Sequence, residues 1–447
     1  MRKSPCVGVR REDMYQWERR TPLTPAHIKE LAQGTNYRFI IQSSDKRAYS
    51  DQEYQDLDLS VAADLKKCPI IIALKEIPVD VLEKDKVYVF FSHVIKGQAS
   101  NMPMLQRALD LGCTIIDYER IVDDDQRRLI AFGNYAGLAG MIDTLWALGD
   151  RLRWEGIANP FERLSQASEF ADLAEAKAAI RSVGEAIRTE GLPEAITPLA
   201  VGIAGYGNVS KGAQEILDLL PVSEVDASDL LTSHLPANVS NTILKVVFRE
   251  EDTVLPLVEG KVFELQELYD HPERYRAAFD RYLPHLTVLV NCIYWEARYP
   301  RLITVEAAKA LYASGKPKLR VIGDISCDVE GGIEITVKAT ESDDPVYVYD
   351  PKTGSIHSGV EGHGPVMMVV DILPSELPRE SSAYFSNILK GFVPEIVTAD
   401  YSADYGTLNL PASLKRAVIC HHGALTPDYQ YISKHLTASA TPSGAAG

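Results

Sequence analysis

Three ionisable side chains stand directly behind short apolar runs. Lys75 follows PIIIAL, His93 follows VYVFFS and Glu119 follows TIIDY. Runs of that length and composition read as buried strands of a parallel sheet. A charged group at the end of such a strand lies on the carboxyl edge of the sheet, where open α/β sheets bind their ligands. Arg20 stands in the loop after the first apolar run, and Arg127 and Arg128 come shortly before Phe132. Lysine and histidine move protons, and arginine holds carboxylates in a bidentate grip. Together these types suit an anionic substrate and acid–base chemistry. Taken singly, each has a plainer reading: a solvated charge, a satisfied core histidine, or, for Lys75-Glu76, a rim pair worth less than about 1 kcal/mol.

A second constellation lies near the middle of the chain. The run LAVGIA enters Gly205-Tyr-Gly207-Asn208, and an amphipathic stretch follows with Gly212, Ala213, Ile216, Leu217 and Leu220. A short strand-like segment, 222–225, then leads to Asp226, 21 residues after Gly205. Glycines let the backbone approach a pyrophosphate, and a helix N-terminus offers unpaired N–H groups. An acid at this distance accepts from a ribose hydroxyl. The order of strand, glycine turn, helix, strand and acid points to a nicotinamide dinucleotide. The third glycine is displaced from the usual spacing, and a tight structural turn is the alternative.

These groups need a scaffold to hold them. Strands are expected at 6–10, 37–41, 69–74, 87–91 and 114–117, with a helix at 26–33 opened by Thr24-Pro25. Helical patterning follows at 136–154 and 160–190, and a second strand-and-helix unit begins at 199–204 with later strands at 287–290 and 319–322. Short β segments are read at 346–349, 356–360 and 366–370, and 440–447 reads as a disordered tail. Alternating strands and helices mean an α/β protein with parallel sheets. The expected architecture is two Rossmann-like domains with an inter-domain cleft. Residues 1–140 with 345–447 would bind substrate, and 141–344 would bind the dinucleotide.

Composition narrows the partners. A chain of 447 residues that is 46% apolar can bury more than one core. Its net charge of −16 argues against nucleic acid and against anionic membranes, though a local arginine cluster still admits an anionic substrate. The six cysteines are scattered without metal-ligand spacing, so reduced, mostly buried thiols and no metal are expected. The N-terminus lacks a signal-peptide apolar region, and the longest apolar stretch, 138–149, is interrupted by Asp143. The cytoplasm is the default compartment.

The strings RREDMYQWERRTPLTP, ALKEIP, FFSHVIKGQASNM, IDYERIVDD, AFGNYAGLAGMID, GYGNVSKGAQ, DHPERY, VNCIYWEARYPRLIT, VIGDISCDVEGGIE and LPRESS occur in order. Together they resemble lysine–2-oxoglutarate reductase, the lysine-forming saccharopine dehydrogenase half of bifunctional aminoadipate semialdehyde synthase. The likeness runs from about residue 5 to residue 432. More distantly, the chain resembles alanine dehydrogenase and the transhydrogenase α subunit.

The resemblance implies that L-lysine and 2-oxoglutarate condense to an imine, which NADPH reduces to saccharopine. By motif match it implies Lys75 as general base and His93 as general acid. Arg20, Gln98, Arg128 and Phe132 match substrate-holding positions. Arg127, Gly207, Asn208, Asp226 and the segment Gly323, Asp324, Ile325, Ser326 match positions around the cofactor, beside Gly205. A lysine base must be unprotonated when it acts, and burial with neighbouring cations (Arg20, Arg128 and His93 are the expected ones) is how proteins achieve that. Two tensions remain. Asp226 as ribose acceptor favours NADH, whereas the resemblance implies NADPH; NADPH is the expectation and NADH the alternative. The resemblance covers only the first half of the bifunctional proteins, so the expectation is either a separate glutamate-forming partner enzyme or a free-standing form. The rival function is a related NAD(H)-dependent amino-acid or opine dehydrogenase acting on another 2-oxo acid.

Overall fold

The computed structural model describes residues 5–232, 235–313, 315 and 317–438. The segment 440–447 read as a tail lies outside these residues. The chain divides into two units, Met1–Phe132 with Pro378–Gly447, and Gly133–Leu377. Each is an α/β unit on a mostly parallel eight-stranded sheet.

In the first unit, β-branched and aromatic runs form β1 (Cys6–Val9), β2 (Arg38–Gln42), β3 (Ser60–Ala62), β4 (Ile70–Ile72), β5 (Val87–Phe90) and β6 (Thr114–Asp117). Every residue of β4, β5 and β6 is buried, as expected of parallel strands covered on both faces. The sheet order is Ala424–Leu425, Val418–His421, β6, β5, β4, β1, β2, β3. Strands β1 to β6 are parallel, and Val418–His421 runs antiparallel to β6. From β1 the chain builds outward through β2 and β3, then returns to β1's other side as β4. The carboxyl ends of β1 and β4 are therefore the topological switch point. Ser60–Ala62 and the two C-terminal strands were not legible as strands in the sequence.

The second unit begins with the helix Gly133–Trp154, whose 22 residues are buried on nearly all sides. Its sheet contains β7 (Ala200–Ala204), β8 (Val222–Glu224) and β9 (Ile243–Phe248). A separate antiparallel pair, β10 (Val254–Pro256) and β11 (Tyr275–Ala277), follows. The sheet is completed by β12 (Val288–Asn291), β13 (Val321–Asp324), β14 (Val346–Tyr349), β15 (Ile356–Ser358) and β16 (Val366–Met368). The order is β15, β14, β16, β13, β12, β7, β9, β8. One face is covered by Leu138, Ile142, Leu145, Ile180 and Ile216, the other by Phe248, Phe279, Tyr282 and Leu289. Each such side chain stabilises the fold by about 1.5–3 kcal/mol on burial.

The unit boundaries differ from the sequence reading at both ends. The long helix is continuous from Gly133, so its first turns stay with the second unit. Residues 345–377 also belong there, because β16 pairs in parallel with β13 and β14 pairs with β16. Asp143, which interrupts the apolar stretch, is fully buried near Glu376; burial and mutual repulsion raise the Glu376 carboxyl far above its ordinary range. Among the described residues no helix is long and apolar enough to cross a membrane. All six cysteines are free, four of them buried; Cys6 Sγ and Cys68 Sγ lie 3.2 Å apart.

Candidate active site and nucleotide turn

At the switch point of the first sheet, the loop after β1 folds Glu12 beneath the end of β4. Its two carboxyl oxygens accept the backbone N–H groups of Leu74 (2.7 Å) and Lys75 (3.0 Å). Burial, reinforced by the charge of Glu18, pushes the Glu12 carboxyl up to about 7. Glu12 thus holds the backbone of Lys75 in place while keeping a proton to near neutrality. The Lys75 ammonium lies 5.7 Å from the centre of the Tyr15 ring. Its charge also reaches Glu18 and Glu76 and helps to lower both carboxyls.

The same loop carries Arg20, which is 3% exposed. Its guanidinium makes a bidentate pair with Glu18 (2.8 and 2.5 Å) and lies 4.4 Å over the Phe132 ring. Burial opposes ionisation of Glu18, but the pair with Arg20 outweighs it and holds the carboxyl below its usual range. Phe132 stacks on Phe385 (4.7 Å, 8°), and both rings meet Phe91, which also meets Tyr118 (5.1 Å) and His93 (6.1 Å).

His93 follows β5 in a left-handed conformation, φ 49°, uncommon for a residue with a Cβ. Two groups hold it there. The Asn101 amide donates to the His93 carbonyl (3.1 Å), and the preceding Ser92 donates its N–H and hydroxyl to Asp117. His93 Nδ1 bonds Glu76 Oε1 at 2.5 Å. Burial opposes ionisation of Glu76, but the bond to His93 and its charge prevail, and the carboxyl is lowered. Glu76 therefore partners His93 and not Lys75, which replaces the rim-pair reading. Asp117, the last residue of β6, is pushed up to about 6 by burial against its bonds from Ser92 and the Glu119 N–H. Glu119 in turn is paired with Arg128.

The structure thus joins Lys75, Arg20, Phe132 and His93 through Glu12, Glu18, Phe91 and Glu76, and reaches Arg128 through Glu119. The cations expected around Lys75 are each engaged by their own carboxylate. Gln98 is half-buried beyond His93, its Oε1 accepting the Lys96 N–H. Arg127 is turned to Asp123 (2.9 Å) and Asp125 (2.7 Å) on an exposed loop. The sequence reading passed over Glu12 and Glu18. Their signal was position: acids in the loop leaving β1, on the same sheet edge as Lys75.

In the second unit, β7 leads into Gly205, whose φ of 95° a residue with a Cβ would adopt only under strain. The Gly205 N–H donates to the Phe248 carbonyl (2.9 Å), tying the turn to the end of β9. Gly207 caps the helix Asn208–Leu217; nothing lies within 4 Å of where its Cβ would be. Tyr206, Gly207 and Asn208 are exposed. An open glycine cradle at a helix N-terminus fits a pyrophosphate. A Cβ on the displaced Gly212 would stand 2.0 Å from the Asn134 carbonyl, and one on Gly137 would stand 1.9 Å from that of Val209. The third glycine serves helix–helix packing and not approach to a ligand. A cavity of about 680 Å³ opens beside the turn, lined by Gly205, Tyr206, Arg249, Tyr269, Tyr294 and Arg298 among others.

At the end of β13, a Cβ on Gly323 would strike Thr144. Asp324 is buried and accepts from Asn291 (2.8 Å) and Thr336 (2.6 Å); burial pushes it up to about 6. Ile325 packs near Gly140, and Ser326 donates to the Ile293 carbonyl (2.7 Å). Asp226 is exposed after β8, the edge strand. Among the described residues no group of three or more His, Cys, Asp or Glu side chains is arranged to hold a metal ion.

Residues 8–139 match the family described as alanine dehydrogenase/PNT, N-terminal domain. The chain is 38% identical over 444 residues to the alpha-aminoadipic semialdehyde synthase of Arabidopsis thaliana, which covers 96% of this chain and 41% of that protein. It is 36% identical to the mitochondrial alpha-aminoadipic semialdehyde synthase of Rattus norvegicus, covering 96% and 48%. The chain thus spans less than half the length of these curated relatives. An L-lysine-forming, NAD(+)-linked saccharopine dehydrogenase of Emericella nidulans is 25% identical over 388 residues, covering 83% and 87%. Among solved structures, an L-alanine dehydrogenase aligns with a TM-score of 0.61 at 16% identity, covering 96% and 99%. A transhydrogenase from Sinorhizobium meliloti aligns at 0.56 and 13%, covering 94% and 100%. At those identities the likeness is one of fold, and the α/β class expected from the sequence is the one found.

Proposed function

We propose that this chain, a homologue of the aminoadipic semialdehyde synthases, reduces the imine formed from L-lysine and 2-oxoglutarate to saccharopine with NADPH. The observation that carries the reading is the set of buried carboxylates on this sheet edge: Glu12 on the Lys75 backbone N–H, Glu76 on the His93 ring and Glu18 on the Arg20 guanidinium. Lys75 takes the proton that the lysine ε-ammonium must lose before it attacks the keto carbon. With Glu76 on Nδ1, His93 has Nε2 free to carry a proton. It donates that proton to the departing carbinolamine hydroxyl, which leaves as water. The ionised Glu76 stabilises the protonated imidazole. Arg20, braced on Phe132, and the more exposed Arg128 receive substrate carboxylates, with Gln98 beside them. Gly205, Gly207 and Asn208 hold the cofactor's pyrophosphate, with Ser326 near the end of β13. When bound, the nicotinamide supplies the two-electron reduction.

The test is the oxidation of NADPH and of NADH by the purified chain, each with lysine plus 2-oxoglutarate and with pyruvate plus ammonia. Turnover is expected only with the first substrate pair, and faster with NADPH. Turnover confined to pyruvate and ammonia would transfer the chain to the amino-acid dehydrogenases, whose fold it shares.

A further inference from the structure

The sequence leaves a conflict: the acid placed to accept a ribose hydroxyl, Asp226, would repel the 2′-phosphate of NADPH. Strand order resolves it. In dinucleotide-binding sheets the group that meets the 2′ position stands at the carboxyl end of the strand adjacent to the glycine-turn strand. Along the chain that strand would be β8. In the sheet it is β9, which pairs with β7 from Ala200↔Leu244 to Ala204↔Phe248, while β8 pairs outside it. The bond from the Gly205 N–H to the Phe248 carbonyl fixes the turn against the end of β9. Asp226 therefore follows the edge strand, one strand removed from the turn.

The residue after β9 is Arg249. It is exposed, lines the cavity beside the turn, and places its guanidinium 5.5 Å from the centre of the Tyr206 ring, the residue between the two glycines. The neighbouring charges in that cavity are already engaged. Glu250 Oε1 accepts from the hydroxyls of Tyr206 (3.3 Å) and Tyr269 (3.1 Å), and Arg298 is paired with Glu296 (3.1 Å). A planar guanidinium on an aromatic face is oriented for bidentate phosphate recognition.

We infer that Arg249 receives the 2′-phosphate of the adenosine ribose and sets the preference for NADPH, and that Asp226 takes no part in cofactor choice. This deepens the proposed function and rests on its dinucleotide site. The test is isothermal titration calorimetry of the full chain with 2′,5′-ADP and with 5′-ADP, which reads the 2′-phosphate without catalysis. The wild type is expected to bind 2′,5′-ADP at least tenfold more tightly. Arg249→Ala should close that gap and leave 5′-ADP affinity unchanged, Arg249→Lys should keep part of it, and Asp226→Asn should keep all of it. A gap that survives Arg249→Ala, or one that changes in Asp226→Asn, overturns the inference. So does a wild type that prefers 5′-ADP, which would make Glu250 the ribose acceptor. Failure to bind either nucleotide would instead remove the dinucleotide site, and the inference with it.

Discussion

The carboxyl edges of the two sheets are built from different chemistry. The first ends in ionisable groups, His93 on Glu76 and Arg128 on Glu119, with Glu12 holding the backbone of Lys75. The second centres on an open glycine turn, with an amide, aromatic rings and the charged side chains of Arg249 and Glu250 around it. Yet each edge contains one buried acid as the last residue of a strand, Asp117 on β6 and Asp324 on β13. Each accepts a hydroxyl hydrogen bond and each is pushed up to about 6. One scaffold rule, a strand-end acid satisfied by a neighbouring hydroxyl, therefore serves both edges. What differs is what surrounds it: paired charged side chains in the first unit, an open glycine backbone in the second.

The sharpest way to break this contrast is to remove the proton carriers. Lys75→Met and His93→Gln should each lower kcat by about 10²–10⁴-fold, the usual loss for a general acid or base. Binding of 5′-ADP should stay unchanged in both. Turnover at the wild-type rate would make the first edge merely structural.

The complementary change disturbs only the second unit. Gly212→Ala places a Cβ 2.0 Å from a backbone oxygen, so the two helices must part, at a cost of about 3 kcal/mol. The expected outcome is a lower Tm together with weaker nucleotide binding. An unchanged Tm would show that the helix pair yields freely.

Glu12 separates the edges by pH. The folded chain keeps its proton to about 7, whereas an unfolded glutamate releases it near 4.5. Between those values the native state binds more protons at this site, so the Glu12 contribution to stability is fully present below 4.5 and is lost as pH rises through the window. The loss assigned to Glu12 is on the order of 3 kcal/mol. Glu12→Gln should flatten that slope in urea titrations from acid to neutral pH, leaving the share due to Asp117 and Asp324. An undiminished slope would remove Glu12 as the group responsible. The smallest effect is expected from Phe132→Leu, which takes the aromatic face from Arg20 at a cost of about 1 kcal/mol. A several-fold rise in KM for 2-oxoglutarate at constant kcat is the expected reading; an unchanged KM would deny Phe132 that role.

Much of this was legible in the residues. The strands of the first sheet announce themselves as apolar runs that stop at a charge, so Lys75, His93 and Glu119 could be placed on one edge. The glycine turn was equally plain. What escaped was long-range. The run ILKVVF of β9 is interrupted by Lys245, whose ammonium reaches out to Asp218 (2.9 Å) and Glu224 (3.2 Å), so the strand did not stand out. Without β9 in view, β8 looked like the neighbour of the glycine turn, and Asp226 like the ribose group. Glu12 was hidden for a related reason. It lies in the polar string RREDMYQWERR, and only the fold brings it to the backbone of a residue 63 positions away.

The pairing of Arg20 with Glu18 has one further consequence. Both side chains are buried, and a carboxylate that takes the Nε–Nη2 edge of the guanidinium must displace Glu18 from it. Once displaced, Glu18 keeps its burial and loses the partner that held its carboxyl low, so it takes up a proton. Ligand capture at this position is then an exchange of one carboxylate for another plus a proton from solvent. Calorimetry in two buffers of different ionisation enthalpy would register that proton directly in the apparent heat of binding.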